Sequence, residues 1–415
     1  MLKKQFKSGL LSLAILGAVA NTASAETIKI ALIEGLSGPF AANGEAALRE
    51  FGYAIDQYIN GKNVAGGVKV EFFGLDNKTS PKETLVQLKN AIGQGATYVI
   101  QGNSSGVAHA LSDAVAKHNE RNPSQRVMYI NYAAVDPSLT EDKCNFWHFR
   151  FDGNADMKMS AITDVIKGRK DIKKVFLIGQ NYSFGKAVAA AAVKYLGEKR
   201  PDIEIVGNEL HPIGKVKDFT PYVTKIKASG ADAIITGNWG ADMVNLARSA
   251  NAVGITADFF TFYAAGTGIT AAIGKSGKGR IRLVSEGRHN PIRTDAWENY
   301  MQTFINKFPN KDLVYPRAVH TIQMLANAMN KAGSADPFKV AMALEGATLT
   351  TLDGDDMVMR GSDHQLLMPL NISVHTDENI KHDYDKSGFG TYVESTASRA
   401  ETTLPTSCKM VRPKA

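Results

Sequence analysis

The sequence predicts a doubly wound α/β protein of two lobes, and three observations predict it. Runs rich in Val, Ile and Phe alternate with amphipathic stretches of helical period from Thr27 to Phe262. Strict strand–helix alternation requires parallel sheets with helices on both faces. A chain of 415 residues is about twice a usual domain, so the alternation divides near Arg150–Gly153 rather than filling one very large sheet. Hydrophobic residues at 44% and charged residues at 21% describe a globular chain and exclude a disordered or disulfide-dense scaffold.

The strands read from this pattern are Ile28–Ile33, Val68–Leu75, Tyr98–Gln101, Val127–Asn131, Lys174–Gly179, Ile203–Asn208, Ala233–Thr236 and Phe259–Phe262. Helices fall between them at Ala41–Tyr58, Pro81–Ile92, Val107–Glu120, Asp156–Ile166, Gly185–Lys199, Phe219–Ser229 and Met243–Ala252, each with apolar residues at spacings of three and four. After Arg280 the alternation stops. Helices are expected at Thr294–Phe308, Pro316–Ala332 and Pro337–Leu344, then extended segments at Thr350–Met359 and Gln365–His375. From Thr376 the chain is rich in Ser, Thr and Asp and is expected to lie over the surface as a polar tail.

Residues Met1 to Ala25 have the three parts of a secretory signal peptide: Lys3, Lys4 and Lys7, an apolar run from Leu10 to Ala20, and Ala23-Ser24-Ala25 before a cleavage point. The apolar run is short for a membrane anchor, and no Cys follows to carry a lipid. Export makes the two cysteines informative. Cys144 and Cys408 are the sole pair, and in an oxidising compartment they are expected to form a disulfide that pins the C-terminal tail. The formal charge is +7, with three of its lysines in the leader and no basic stripe elsewhere, which argues against nucleic-acid binding.

Gly102-Asn103-Ser104-Ser105-Gly106 falls between a strand and a helix and admits two readings. As a G-x-S-x-G nucleophile elbow it would make Ser104 the nucleophile of a secreted hydrolase, with His211, His289, His320 or His364 as base. As a cradle, it offers hydroxyls and peptide N–H groups at a helix N-terminus to a carboxylate, and this second reading is favoured. Gly268 to Ser276 fails as a phosphate-binding P-loop because Ile269 stands where its first glycine must be, and no G-x-G-x-x-G follows the first strand. Lys275, Lys278, Arg280 and Arg282 read as a solvated basic loop. Tyr132, Tyr182 with Phe184, Trp239, and Phe262 with Tyr263 each follow a strand, where open α/β sheets bind ligands.

A resemblance now becomes specific. Ile30-Ala31-Leu32-Ile33-Glu34-Gly35-Leu36-Ser37-Gly38-Pro39 with Gly44, the Ser104-Ser105 turn, Ala133-Ala134-Val135-Asp136-Pro137-Ser138-Leu139-Thr140, Tyr182-Ser183-Phe184-Gly185 and Arg360-Gly361-Ser362-Asp363-His364-Gln365 resemble the leucine/isoleucine/valine-type periplasmic binding proteins, in order along nearly the whole chain. The resemblance implies the type I, Venus-flytrap arrangement: two lobes joined by three crossings with ligand held between them. It implies one lobe from residues 26–149 plus about 284–347, a second from 150–283 plus about 348–395, and a tail over 396–415. It further implies a non-enzymatic periplasmic receptor, monomeric and without cofactor or metal, serving an inner-membrane ABC permease with its ATPase. A ligand sensor for a membrane signalling partner is the variant of that reading.

By the same resemblance Ser104 and Ser105 hold a ligand carboxylate, with the Ala133 backbone beside them and Ala134 adjoining. Four positions depart from the family. A threonine that helps bind the zwitterion is Val135, the acid that pairs with the α-ammonium is Ala265, an aromatic near the first helix is Asn43, and a second-lobe tyrosine is Phe184. A buried ammonium without acceptors is strongly disfavoured, so the expected ligand is a carboxylate with an apolar, aromatic body. Tyr182, Phe184, Trp239 and Tyr263 are expected as its walls, and Arg288 or His289 as a further polar group. Glu34, Asp242 and Glu286 are the candidates to replace the missing acid.

Overall fold

The computed structural model describes residues 26–413, and the leader read over residues 1–25 lies outside them with its cleavage point. The first sheet is built from β1 (Thr27–Glu34), β2 (Lys69–Asp76), β3 (Ala96–Gln101), β4 (Met128–Asn131) and β5 (His148–Arg150), all parallel in the order β2-β1-β3-β4-β5. Ile30 to Ile33 are buried without alternation, as a parallel strand covered on both faces must be. Its helices are α1 (Ala41–Tyr58), α2 (Pro81–Gly93) and α3 (Ser105–Arg121). Ser80 caps α2 by accepting from the Glu83 N–H, with Pro81 in the first turn.

The second sheet takes β6 (Lys174–Gln180), β7 (Glu204–His211), β8 (Ala233–Thr236), β9 (Asp258–Thr261) and β10 (Ile281–Ser285), with α4 (Ala155–Gly168), α5 (Ser183–Lys199), α6 (Thr220–Ser229), α7 (Gly240–Val253) and the short α8 (Ile269–Ile273). The chain then returns. Helices α9 (Asp295–Lys307), α10 (Pro316–Ala332) and α11 (Pro337–Leu344) follow, and Tyr53 of α1 meets Tyr300 and Phe304 of α9 edge-on at 5.3 and 5.4 Å. A small antiparallel sheet of β11 (Thr348–Thr350), β12 (Asp356–Met359) and β13 (Leu366–Leu367) sits beside β5: the His364 ring stacks on Phe149 at 3.8 Å and Arg150 bridges to Gln365. β14 (Leu370–Thr376) and β15 (Gly390–Ala397) complete the second sheet, antiparallel beside β10, in the order β15-β14-β10-β9-β8-β6-β7, and α12 (Arg399–Thr402) ends the regular structure.

Two expectations are corrected. The stretch read as a solvated basic loop contains strand β10, because Arg282 is neutralised within the sheet by Glu394 at 2.7 Å and Asp258 at 3.4 Å. Lys278 pairs with Asp377 and Glu378, while Arg280 donates to the carbonyls of Ile255 and Ala257. The tail beyond Thr376 is no surface coil throughout: Thr391, Tyr392 and Val393 are good strand formers, and they pair along β14.

Beyond α12 the tail crosses to the first sheet's side. Cys408 is bonded to Cys144, Thr406 donates to the Thr140 carbonyl at 3.3 Å, and Arg412 pairs with Glu345. The three chain crossings near Arg150–Asn154, Ser285–Pro291 and Leu367–Leu370 bind one another. Arg150 Nε donates to Gln365 at 2.6 Å, Gln365 donates to the Asp152 carbonyl at 2.8 Å, and Arg288 donates to Asn371 at 3.0 Å. Among the described residues no helix is long and apolar enough to cross a membrane.

Candidate functional site

A cavity lies between the two sheets, and its three walls have different chemistry. The first wall is the turn between β3 and α3. Glu34, at the end of β1, accepts the N–H groups of Gly102 at 2.7 Å and Asn103 at 2.9 Å, and Gln101 donates to the Asn103 carbonyl at 2.6 Å. Gly102 has no room for a side chain, since a Cβ there would stand 2.7 Å from both the Ala133 nitrogen and the Tyr132 ring. Ser104 sits at φ 77°, a left-handed conformation that a serine adopts only when its surroundings impose it. The turn therefore presents the start of α3, with its positive dipole end and the hydroxyls of Ser104 and Ser105, to the cavity. Burial pushes the Glu34 carboxyl up to about 7 against the two peptide donors.

The second wall is aromatic. Tyr182, Phe184, Trp239, Phe262 and Tyr263 line the cavity from the ends of β6, β8 and β9. Trp239 Nε1 donates to the Tyr182 hydroxyl at 2.9 Å, and Phe184 meets Phe262 edge-on at 5.7 Å. These residues also close the cleft. Phe40, before α1, lies against Trp239 at 4.1 Å between ring centroids, and the Tyr263 hydroxyl donates to the Ala133 carbonyl at 3.3 Å. Asn43 lines the cavity while donating to the Tyr315 hydroxyl at 3.1 Å.

The third wall is charged and stands at the crossings. Arg317 opens α10; its Nη1 pairs with Asp152 and its Nε lies 2.9 Å from Glu286, while Lys158 Nζ lies 2.8 Å from Asp152. All four side chains are buried, and two positive charges meet two negative ones. Arg317 lies between Tyr263 and Tyr315, 5.9 and 5.4 Å from their ring centroids. Burial disfavours the charge on Glu286, but Arg317 and Lys158 outweigh it and hold the carboxyl below its ordinary range.

Of the residues singled out in the sequence, Asn43, Ser104, Ser105, Ala133, Tyr182, Phe184, Trp239, Tyr263 and His289 border this one cavity, and Ala134 and Arg288 do not. Arg288 turns to Asp353 at 2.8 Å and to Asn371. His289 carries no charge to offer. Burial holds it down to about 4, one ring nitrogen engages the Leu313 carbonyl at 2.7 Å and the other the Tyr384 hydroxyl at 2.6 Å. Of the three candidate acids, Glu286 borders the cavity whereas Glu34 and Asp242 do not; Asp242 is taken by Gln180 and the Gly214 N–H. Of the four histidines named for a hydrolase, His211 is engaged with Asn238, His364 with Glu345 and His289 with its two partners, while His320 is buried in α10, held down to about 4 by that burial, and does not border the cavity. No local pattern marks Arg317, Asp152 or Lys158, which come together only through the topology.

Comparison with known proteins agrees with this architecture. The periplasmic binding protein family matches residues 27–377. A protein of Brucella abortus named Leu/Ile/Val-binding protein homolog 4 is 32% identical over 99% of both chains. A leucine-, isoleucine-, valine-, threonine- and alanine-binding protein of Pseudomonas aeruginosa is 26% identical over 83% of this chain and 89% of its own. The closed crystal structure of a leucine-, isoleucine-, valine-, threonine- and alanine-binding protein from Brucella ovis superposes with a TM-score of 0.83 at 30% identity, covering 94% of this chain and 100% of that one. With two mainly parallel sheets as lobes around a cleft, and a match along most of its length, this chain belongs to the periplasmic binding protein family, of type I fold.

Proposed function

We propose that this protein is the solute-binding component of an ABC importer and that it captures a small carboxylate without an α-ammonium group, carried on an apolar, aromatic body. The leader is then removed after Ala25, and the mature chain works in the periplasm with an inner-membrane permease and its ATPase. The moving bodies are the lobe of the first sheet with the returning helices and the lobe of the second sheet. Closure needs only that the ligand bind the closed state better than the open one.

The observation that supports the ligand reading is a cavity that keeps its serine turn while Val135 and Ala265 stand at the two positions where the family resemblance expects partners for an ammonium. Ala265 and Val135 border the cavity with no oxygen in their side chains, and the Ala133 carbonyl already accepts from Tyr263. The Glu286 side chain is 0% exposed. A buried, unpaired ammonium costs several kcal/mol, enough to exclude such a ligand.

A second reading, a branched-chain or other small aliphatic amino acid, is favoured by the names of the relatives. A thermal-shift screen of the chain from Glu26 to Ala415 separates the two, because ligand that binds the native state alone raises the melting temperature with concentration. Aryl carboxylates are expected to give the largest shift. Leucine, isoleucine or valine giving it instead overturns the reading.

A further inference from the structure

The carboxylate cradle leaves the charged wall unused, and Arg317 and Glu286 bring that wall to the cavity. Arg317 and Glu286 both border the cavity and differ in access: the Arg317 side chain is 6% exposed while those of Glu286 and Asp152 are 0% exposed, so a ligand reaches Arg317 before the acids that hold it. Tyr263 joins the two ends of the site. Its hydroxyl reaches the Ala133 carbonyl beside the cradle, and its ring lies 5.9 Å from the Arg317 guanidinium and 4.9 Å from Lys158. The distance from cradle to guanidinium is thus spanned by one tyrosine side chain, the scale of a single aromatic ring with a substituent.

We infer that Arg317 is the specificity-determining residue of the cleft and that it reads a neutral oxygen acceptor, a hydroxyl or carbonyl, at the end of the ligand opposite its carboxylate. The inference rests on the cradle reading above and adds the chemistry of the far end. Charge balance selects the acceptor. Arg317 and Lys158 are matched by Asp152 and Glu286, so a second carboxylate would leave a net negative charge buried among them. A cationic group would meet a guanidinium as the nearest accessible charge and be repelled. An apolar group would cover a charged donor without giving it a partner, which also costs binding. A neutral oxygen accepts a charge-assisted hydrogen bond and leaves the balance intact. Asp152 and Glu286 fix the plane of the guanidinium, and the flanking rings of Tyr263 and Tyr315 keep it from turning away.

Four para-substituted benzoates of one shape test this by titration calorimetry on the chain from Glu26 to Ala415: 4-hydroxybenzoate, 4-methylbenzoate, terephthalate and 4-(aminomethyl)benzoate. The hydroxyl compound is expected to bind about tenfold or more tighter than the methyl compound, with the dianion and the zwitterion weaker than both. Removing Arg317 alone would strand two buried acids, so the variant is the double substitution R317Q/E286Q. It is expected to bring the hydroxyl and methyl compounds within about threefold of each other. If the double variant does not fold, R317K, which keeps the charge but loses the planar fork, must still lower the ratio. Ser105→Ala is expected to weaken both compounds alike, since both carry the carboxylate. Equal weakening by Ser105→Ala with an unchanged ratio in the Arg317 variants overturns this inference and keeps the cradle. A lost ratio with no effect of Ser105→Ala overturns the cradle and keeps Arg317. Tightest binding of terephthalate or the aminomethyl compound, or no binding of any of the four, also overturns the inference, and the amino-acid arm of the thermal screen then tells whether the cradle reading falls with it.

Discussion

Two buried glutamates on opposite sides of the cleft have the same burial and opposite electrostatics. Glu34 holds the cradle turn through the Gly102 and Asn103 N–H groups, and burial pushes its carboxyl up to about 7. Glu286 stands at the second crossing beside Arg317, where the guanidinium and Lys158 hold its carboxyl below the ordinary range in spite of burial. At Glu34 two peptide N–H groups share one carboxylate oxygen and do not repay the loss of hydration, whereas at Glu286 two full charges do; Asp152, beside the same two cations, is still raised by its burial. The turn between β3 and α3 is therefore held by peptide dipoles around a carboxyl that titrates near 7, and the hinge side by a block of two cations and two acids.

The largest effect expected from this difference is on stability. Arg317→Met leaves Asp152 and Glu286 buried without their shared partner, and a loss of about 3–5 kcal/mol in chemical denaturation is expected. A loss below 1 kcal/mol would mean that the block is not held by its charges. Glu34→Gln breaks the other side of the comparison. The folded carboxyl titrates near 7 and the unfolded one near 4.5, so the folded state binds the extra proton between those values. That contribution is complete below pH 4.5 and is lost as pH rises through 7, up to about 3 kcal/mol. Glutamine retains an acceptor for both N–H groups and does not ionise. The variant is expected to gain stability relative to the parent as pH rises from 4.5 to 7, read as the difference of melting temperatures across that range; a constant difference would refute the assignment.

The same contrast explains what could be read from the sequence. The serine turn was legible because its parts are contiguous: a strand, a glycine, two serines and a helix form a local pattern, which Glu34 of β1 and Ala133 after β4 then complete from elsewhere in the chain. Gly102→Ala tests that local design, since its Cβ meets the Ala133 backbone at 2.7 Å as well as the buried Tyr132 ring. A loss of about 1–3 kcal/mol is expected, together with weakened carboxylate binding in titration calorimetry. The charged wall was not legible, because Asp152, Lys158, Glu286 and Arg317 come from three separated stretches and no spacing rule joins them. Glu286 was singled out only as a possible ammonium partner; its engagement by Arg317 is what the topology added. Strand β15 escaped for a different reason. An edge strand with one solvated face can be as polar as Thr391 to Ala397, and composition then mimics a loop.

The smallest expected effect concerns closure itself. Phe40 belongs to the first lobe and rests on Trp239 of the second, with Gly240 so close that a Cβ there would stand 2.7 Å from the Phe40 ring. Such a contact exists only while the lobes are together, so its free energy belongs to the closed state and not to the folding of either lobe. Phe40→Ala should then leave chemical denaturation of the ligand-free protein nearly unchanged. A ring pair of this kind contributes about 0.5–1.5 kcal/mol beyond its buried area. Because a ligand that needs the closed state loses apparent affinity in proportion to the population of that state, ligand binding is expected to weaken by about three- to tenfold. The dissociation constant and the denaturation midpoint, measured on the same variant, decide the matter: a shift in the midpoint with unchanged affinity would place Phe40 in the core of its own lobe and leave the cradle and the charged wall as the sole determinants of binding.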